Sequence, residues 1–338
     1  IEEENILKID AEGIQHAIFG SYESLLFDRL HYRLGLRATH YNLNEKLHLS
    51  PRIDLNYKVS EQFYLKGALS KYYQFTQQIN YQDRLGRSLD FWLVNIDRQF
   101  PITNSNHQML GFRCLNNLFD LDVEAYRKNT FGLLQFSARK VGFDDEGRPD
   151  SNTDLITYVG NNINQGIDIT IKKNIDWYTG WIAYTLSESK NIIDDINNGE
   201  VFPSPNDQRH QLKFVNQLNF KNFEAGLSYI FSSGKPFIDV RKQRGGLDED
   251  DNIPELLTYI KSYQRVDLNA AFKLDVGTST FRVGASVFNL LDRENIKYKQ
   301  FIYNVSKDFQ QSAENDTFYG NDLRLLGRTF NVFARVGF

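Results

Sequence analysis

The chain has 338 residues, 41% of them hydrophobic and 14% aromatic, and its formal net charge is −4. It contains no run of 18 or more apolar residues, which excludes a transmembrane helix but not strands that need an apolar residue only at every second position. Its Lys and Arg residues are scattered, which argues against nucleic-acid binding, and its single cysteine, Cys114, excludes an internal disulfide. The aromatic content favours strands.

Apolar and polar residues alternate with period two along much of the chain, which predicts strands with one apolar and one polar side. In residues 52–59, for example, Ile53 and Leu55 point to one side and Asp54 points to the other. Together with similar segments this pattern predicts about thirteen strands, near residues 12–26, 29–41, 52–59, 63–75, 107–115, 119–130, 165–175, 177–188, 209–220, 223–235, 263–275, 280–288 and 327–338.

Two of these strands carry charged and amide side chains on their polar sides. If the strands close into a wide barrel, such side chains line its aqueous lumen. The candidates for this role are Arg52, Asp54, Asn56, Lys58, Arg265, Asp267 and Asn269. Solvating the lumen is the simpler role for them, and direct contact with a substrate is the alternative.

Short and long connections alternate when the predicted strands are counted backward from Phe338. Bacterial outer-membrane barrels combine tight periplasmic turns with long extracellular loops. The alternation of short and long connections therefore predicts extracellular loops near residues 76–106, 131–164, 189–208, 236–262 and 292–326. Within one of these loops, residues 253–261 have the pattern of a short helix that follows a proline.

The last segment, residues 327–338, alternates and ends on an aromatic residue. A strand of ~10 alternating residues that ends in this way is typical of the closing strand of a transmembrane β-barrel. Its apolar side carries Phe330, Val332, Ala334, Val336 and Phe338. The sequence therefore predicts an all-β chain that forms an antiparallel transmembrane β-barrel.

A series of motifs resembles the C-terminal barrel of TonB-dependent outer-membrane receptors in order and spacing. Residues 49–74 are similar to the family's strand pair, which is built around Pro-Arg and ends in a Lys-aromatic stretch. Residues 177–187 (WYTGWIAYTLS) resemble its Gly-Trp-x-x-Tyr-Thr-Leu-Ser pattern and follow Gln165-Gly166. The remaining similar motifs are Phe202-Pro203, Asn206-Asp207-Gln208-Arg209-His210, Ser233-Gly234-Lys235-Pro236, Asn289-Leu290-Leu291-Asp292 and Gly327-Arg328-Thr329-Phe330.

The resemblance implies a 22-strand type of barrel that encloses an N-terminal plug domain. Nothing in residues 1–338 resembles the plug or its TonB-contacting box. An odd number of antiparallel strands also leaves an edge without a regular partner. We therefore expect about 13 C-terminal strands of a larger receptor, located in the outer membrane of a Gram-negative bacterium. The first strand is expected to pair with N-terminal strands absent from this sequence or with another protein.

The function implied by the resemblance is TonB-coupled uptake of a scarce solute: an iron chelate, a cobalamin or an oligomeric nutrient. The implied partners are outer-membrane lipid, the TonB complex through the plug, a surface lipoprotein, and the barrel assembly machinery. The resemblance also implies that this machinery reads the apolar side of the closing strand and its terminal Phe338 as an insertion signal. One alternative is a fragment held by the assembly machinery as a client. A lesser alternative is a soluble all-β adhesin or binding protein.

No group of residues points to catalysis, a cofactor or a metal ion. The six histidines are spread along the chain, and His31 and His40 point to opposite sides of one predicted strand. The acidic run at residues 248–251 lacks the spacing of a calcium loop and is expected to be solvated. Nucleotide-binding and nucleophile motifs are absent from the sequence. We therefore expect that the chain is not an enzyme.

Overall fold

The computed structural model describes residues 11–82, 88–96, 100–140, 154–194, 197–238, 257–304 and 317–338. Apart from one 3-10 helix at Asn197–Gly199, the regular elements in these ranges are strands. They are β1 (Gln15–Leu26), β2 (Leu30–Tyr41), β3 (Lys46–Lys58), β4 (Phe63–Gln74), β5 (Thr76–Gln82), β6 (Ser88–Val94), β7 (Thr103–Leu115), β8 (Asp120–Lys140), β9 (Asp154–Ile175), β10 (Tyr178–Ile192), β11 (Phe202–Pro203), β12 (His210–Phe220), β13 (Phe223–Ser232), β14 (Pro236–Ile238), β15 (Leu257–Tyr259), β16 (Tyr263–Val276), β17 (Ser279–Phe288), β18 (Ile296–Asn304), β19 (Thr317–Arg324) and β20 (Thr329–Gly337).

Thirteen strands follow one another as neighbours in a single antiparallel sheet, which confirms the predicted number and class. Their order is β1-β2-β3-β4-β7-β8-β9-β10-β12-β13-β16-β17-β20, and the short β11 pairs with β10 outside this path. Every neighbour on the path is also the next sheet strand in the chain, so the sheet is an up-and-down meander.

The connections sort onto two ends of the sheet. At one end, the turn end, the strands are joined by tight turns such as Phe27–Asp28, where both residues have positive φ (54° and 56°). Two successive positive φ values are those of a type I′ turn, which the Arg29 N–H closes on the Leu26 carbonyl at 3.2 Å and whose twist matches that of the flanking strands. At the other end, the loop end, the connections are long except at residues 42–45.

The long connections contain more strand than the sequence predicted. Strand β8 continues to Lys140 and β9 starts at Asp154, inside the predicted loop 131–164. Three hairpins, β5–β6, β14–β15 and β18–β19, lie within the predicted loops 76–106, 236–262 and 292–326. The helix expected at 253–261 is not found, since residues 257–259 form β15 and residues 253–256 lie outside the described part.

The register assigns each strand residue to one of two faces, because directly opposite residues share a face. The apolar face carries exposed large side chains on strand after strand, among them Ile53, Leu110, Phe272 and Val332. The polar face carries charged and amide side chains such as Asp54. In a transmembrane β-barrel the former faces lipid and the latter faces the lumen. No helix among the described residues is long and apolar enough to cross a membrane.

The buried core lies at the loop end. Tyr41, Ile193 and Phe202 are fully buried there, and Tyr158 and Leu257 pack against the last two. The middle of the sheet has few buried side chains because both of its faces are exposed in the isolated chain. Core packing therefore stabilises the loop end. In the middle of the sheet, the strands are connected mainly by the backbone hydrogen bonds between them.

The two outer strands of the sheet each have one unpaired edge. Strand β1 pairs with β2, and β20 pairs with β17, and neither has a second partner in the part of the chain that the structure describes. Both strands run from the loop end to the turn end. Pairing them with each other would therefore require a parallel ladder, in contrast to the rest of the sheet.

Candidate functional site

All seven residues predicted to line a lumen lie on the polar face. Arg52, Asp54, Asn56 and Lys58 alternate along β3, and the Lys58 Nζ lies 2.7 Å from Glu61 Oε1 in the following turn. On β16, Arg265 donates through Nε to Asp267 Oδ2 at 3.0 Å, and Asn269 lies opposite Ser286. These two groups are far apart in the sheet, with seven strands between β3 and β16.

A dense set of ion pairs occupies the polar face of β4, β7 and β8 toward the turn end. We call Lys66, Arg113, Asp120, Asp122 and Glu124 the charged belt. The Lys66 Nζ lies 2.7 Å from Asp122 Oδ1 and 2.5 Å from Glu124 Oε1, and Arg113 Nε donates to Asp120 Oδ1 at 2.9 Å. A cavity of about 280 Å³ opens beside these residues. Since the charges pair internally, the belt joins strands rather than leaving a free charge for a ligand.

A second cluster lies on the same face, closer to the loop end. We call Arg52, Tyr72, His107, Tyr126 and Lys128 the basic–aromatic patch. Arg52 on β3, Ser70 on β4, His107 on β7 and Lys128 on β8 are directly opposite one another, so three basic side chains share one row across four strands.

The two tyrosines of the basic–aromatic patch flank this row. The Arg52 guanidinium lies 4.9 Å from the centre of the Tyr72 ring, and the Tyr72 and His107 rings are 4.7 Å apart. The Lys128 Nζ lies 5.1 Å from the Tyr126 ring centre. Within the described residues, Arg52 and Lys128 have no carboxylate partner, whereas the cations of the charged belt do. The patch can therefore offer positive charge and aromatic surface to an anion.

The β5–β6 hairpin belongs to the loop-end connection between β4 and β7. Contacts of β5 and of the segment around Asn95 fix it to the sheet. Buried Gln77 donates to the Gly132 carbonyl at 3.2 Å and accepts from the Leu134 N–H at 2.9 Å. Both partners belong to the region where β8 has register shifts and Gly132 has φ +70°. On the other side, the Tyr41 hydroxyl donates to the Asn95 carbonyl at 2.8 Å. The hairpin thus has fixed contacts with β2 and β8.

The predicted insertion-signal residues share the apolar face at one edge of the sheet. Phe330, Val332, Ala334 and Val336 lie opposite Val287, Ala285, Val283 and Phe281 of β17. Phe338 follows the end of β20 and is fully exposed.

Four members of the basic–aromatic patch were missed from the sequence: Tyr72, His107, Tyr126 and Lys128. The alternation of each strand indicates which residues share a face, but it does not align one strand with the next. The register of β3, β4, β7 and β8 was the missing information. Among the described residues, no three His, Cys, Asp or Glu side chains form a group that could hold a metal ion.

The fold and its two faces define the class of protein. A meander of thirteen antiparallel strands, with an exposed apolar face and a charged polar face, is the wall of a transmembrane β-barrel. The sequence matches the family model described as "TonB dependent receptor-like, beta-barrel" over residues 9–290. The chain therefore belongs to the TonB-dependent receptor barrel family, which consists of transport receptors of the Gram-negative outer membrane, and its location is that membrane.

Solved structures of similar fold belong to bacterial receptors. The ferric enterobactin receptor PfeA of Pseudomonas aeruginosa is 14% identical with a TM-score of 0.61, over 96% of this chain and 45% of that one. The siderophore receptor PirA of Acinetobacter baumannii is 12% identical with a TM-score of 0.59, over 86% and 44%. The ferripyoverdine receptor of Pseudomonas aeruginosa is 11% identical with a TM-score of 0.58, over 96% and 38%.

The chain thus spans less than half the length of these structures. At such identities the likeness shows the fold alone. A comparison with curated proteins finds no match.

Proposed function

We propose that this chain forms part of the barrel wall of an outer-membrane receptor for TonB-coupled uptake of a scarce, anionic solute. The observation that carries the proposal is the row of Arg52, His107 and Lys128 on the polar face, flanked by Tyr72 and Tyr126. A solute that enters from the loop end meets this row before it reaches the charged belt. The polar-face residues of β3 and β16 line the same lumen.

Among an iron chelate, a cobalamin and an oligomeric nutrient, the basic–aromatic patch favours an iron chelate. Ferric complexes of catecholates are anionic and aromatic, so they suit both the guanidinium and ammonium groups and the tyrosine rings. One of the similar structures is named a siderophore receptor and another a ferric enterobactin receptor, which supports the same class of solute.

The long connections are proposed to face the outside and the tight turns the periplasm. In this orientation the core around Ile193 and Phe202 supports the extracellular connections. The two free edges, on β1 and β20, support the proposal that further strands of a longer receptor complete the barrel around a plug. Through that plug the receptor would contact the TonB complex, and its outer side would be free for a surface lipoprotein.

The free edge of β20 also favours a second role, in assembly. We infer that the apolar side of β20 and the terminal Phe338 act as the insertion signal for the barrel assembly machinery. An extended, unpaired edge is a template for strand addition by another protein. A fragment held as a client would show β20 cross-linked to a strand of the machinery, whereas a complete receptor would show it cross-linked to its own N-terminal strand. Membership of the receptor family argues against a soluble adhesin.

Uptake of radioactive ferric enterobactin, an anionic tris-catecholate chelate, tests the transport proposal. Replacing both Arg52 and Lys128 by alanine in the intact receptor should raise the KM for uptake by about tenfold, which corresponds to ~1.4 kcal/mol of lost binding. Lys213→Ala is the matched control, because Lys213 is an exposed cation of the same face on β12.

Equal amounts of folded receptor in the outer membrane must be verified for each variant. Unchanged uptake kinetics in the double variant, or an equal loss in Lys213→Ala, would refute the assignment of the basic–aromatic patch.

A further inference from the structure

A groove crosses the apolar face on strands β3, β4, β7 and β8. Its volume is about 540 Å³, and its walls include Ile53, Leu55, Leu69 and Leu110. It lies on the opposite side of the sheet from the basic–aromatic patch. The groove is therefore separate from any path for solute along the polar face.

The groove results from small residues placed between large ones in a single row. Leu55, Gly67, Leu110, Ala125 and Ile167 lie directly opposite one another on β3, β4, β7, β8 and β9. The Leu110 side chain is 70% exposed and forms a ridge, whereas Gly67 and Ala125 leave a trough on either side of it.

The protein itself does not need a glycine at position 67. A Cβ atom there would meet only the Met109 carbonyl oxygen, at 3.8 Å, which is ordinary contact. By contrast, a Cβ at Gly111 of the neighbouring strand would overlap the Val123 carbonyl oxygen. The missing side chain at Gly67 thus keeps the trough open without serving the packing of the sheet.

Two cations lie at the end of the groove that is nearer the loop end. Arg127 on β8 lies opposite Gln108 and Gln165, in the row next to Ala125, and so shares the apolar face. Its Nε donates to Asn129 Oδ1 at 3.2 Å, and no carboxylate pairs with it in the ranges that the structure describes. Lys71 lies on the same face one row further, with its Nζ 5.1 Å from the Tyr73 ring centre.

We propose that this groove binds an anionic membrane lipid, with its acyl chains in the two troughs beside Leu110, at Gly67 and at Ala125, and its phosphate on Arg127. The apolar face of an outer-membrane barrel contacts lipid, so an acyl chain is the available filler for an apolar trough. A guanidinium binds phosphate oxygens through two parallel N–H donors, which a lysine or a glutamine does not reproduce. The charge at one end of the groove selects a lipid with a net negative head group over a zwitterionic one.

Native mass spectrometry of the intact receptor in detergent tests this proposal. Phosphatidylglycerol and phosphatidylcholine with identical acyl chains are added separately, and the fraction of receptor that retains one lipid is measured. Wild type should retain phosphatidylglycerol with about tenfold higher affinity than phosphatidylcholine. Arg127→Gln should abolish that preference, and Gly67→Leu should weaken retention of both lipids because it fills one of the two troughs.

Two control variants change the same face elsewhere. Lys173→Gln removes an exposed cation near the turn end of β9, and Ala270→Leu enlarges an exposed small residue on β16. Neither should alter retention. Equal retention of the two lipids by wild type, or losses in the controls as large as in Arg127→Gln and Gly67→Leu, would overturn the proposal. If Gly67→Leu does not fold, Arg127→Gln alone decides, because it replaces an exposed side chain.

Discussion

The Lys66 ammonium on β4 lies 2.7 Å from the Asp122 carboxylate on β8, although strand β7 runs between them. The residue of β7 in the same row is Gly111, which lies opposite both Lys66 and Glu124. Since Gly111 has no side chain, the lysine stem crosses β7 and reaches both carboxylates. The charged belt is thus a bridge between strands that are not neighbours.

Gly111→Ala should destabilise the barrel. A methyl group at Gly111 would overlap the Val123 carbonyl oxygen and lie 3.1 Å from Glu124 Cγ, so β8 must shift and the bridge must lengthen. We expect a loss of about 2 kcal/mol, typical of overpacking. Urea unfolding in detergent micelles, followed by heat-modifiable migration, measures it. Gly35→Ala is the control, because a Cβ there meets nothing closer than 3.7 Å; equal losses would refute the explanation.

Removing the charge of Lys66 should lower the free energy of unfolding. Neutralising its partners, Asp122 and Glu124, as well should restore most of the loss. Lys66→Met leaves Asp122 and Glu124 side by side without their cation, and the Lys66 side chain is only 16% exposed. We expect a loss of about 2 kcal/mol, less than for a fully buried pair because the carboxylates are partly solvated. The triple variant Lys66→Met, Asp122→Asn, Glu124→Gln should recover most of it in the same urea titration. Lack of recovery would show that Lys66 acts through packing instead.

The period-two pattern predicted the sheet strands because one side of each strand faces an apolar environment. Residues such as Ile53 and Leu55 alternate with Arg52 and Asp54 for this reason. The same pattern is weak where β8 and β9 extend toward the loop end, in stretches such as residues 161–164 (NNIN). Strand pairing there rests on the backbone ladder, which leaves little trace in the order of apolar residues.

The candidate site was less predictable than the fold. Lys66 and Asp122 are 56 positions apart in the chain, and His107 meets Tyr72 only because β4 and β7 are neighbours around an inserted hairpin. Alternation predicts the face of each side chain, but it does not predict which residue of the neighbouring strand lies opposite. The row of Arg52, His107 and Lys128 depends on the register between strands, so it could be found only from the structure.

Asn289 should be a sensitive position of the connection between β17 and β20. It is fully buried with φ +53°, its Nδ2 donates to the Arg293 carbonyl at 3.0 Å and the Leu326 carbonyl at 3.3 Å, and its Oδ1 accepts from the Arg293 N–H at 3.2 Å. Asn289→Ala removes these bonds and places alanine in a left-handed conformation, so we expect a loss of about 3 kcal/mol.

The readout for Asn289 is the rate at which trypsin cleaves the connection in the folded receptor. Asn289→Gly separates the two causes, because glycine tolerates positive φ but makes none of the bonds. Cleavage of the glycine variant should be intermediate between wild type and Asn289→Ala. A wild-type rate in both variants would show that the side-chain bonds do not hold the connection.

Deleting Phe338 should slow assembly without weakening the assembled barrel. Phe338 is fully exposed and lies beyond the last residue of β20, so its removal takes away no packing of the described structure. If the terminal aromatic is read by the assembly machinery, the amount of folded receptor in the outer membrane should fall severalfold. The urea midpoint of the receptor that does fold should stay unchanged. A lower midpoint would indicate a structural role, and an unchanged amount would refute the signal.

Val332→Arg should test which face of β20 contacts lipid. Val332 is 75% exposed on the apolar face, near the middle of β20, and an arginine at the bilayer midplane costs about 2–4 kcal/mol. Asn331→Arg is the matched control, because Asn331 faces the polar side opposite Ser286. Val332→Arg should lower both the urea midpoint and the folded amount, while Asn331→Arg should leave both near wild type. Equal effects of the two variants would contradict the assignment of the faces, since the alternation along β20 requires them to differ.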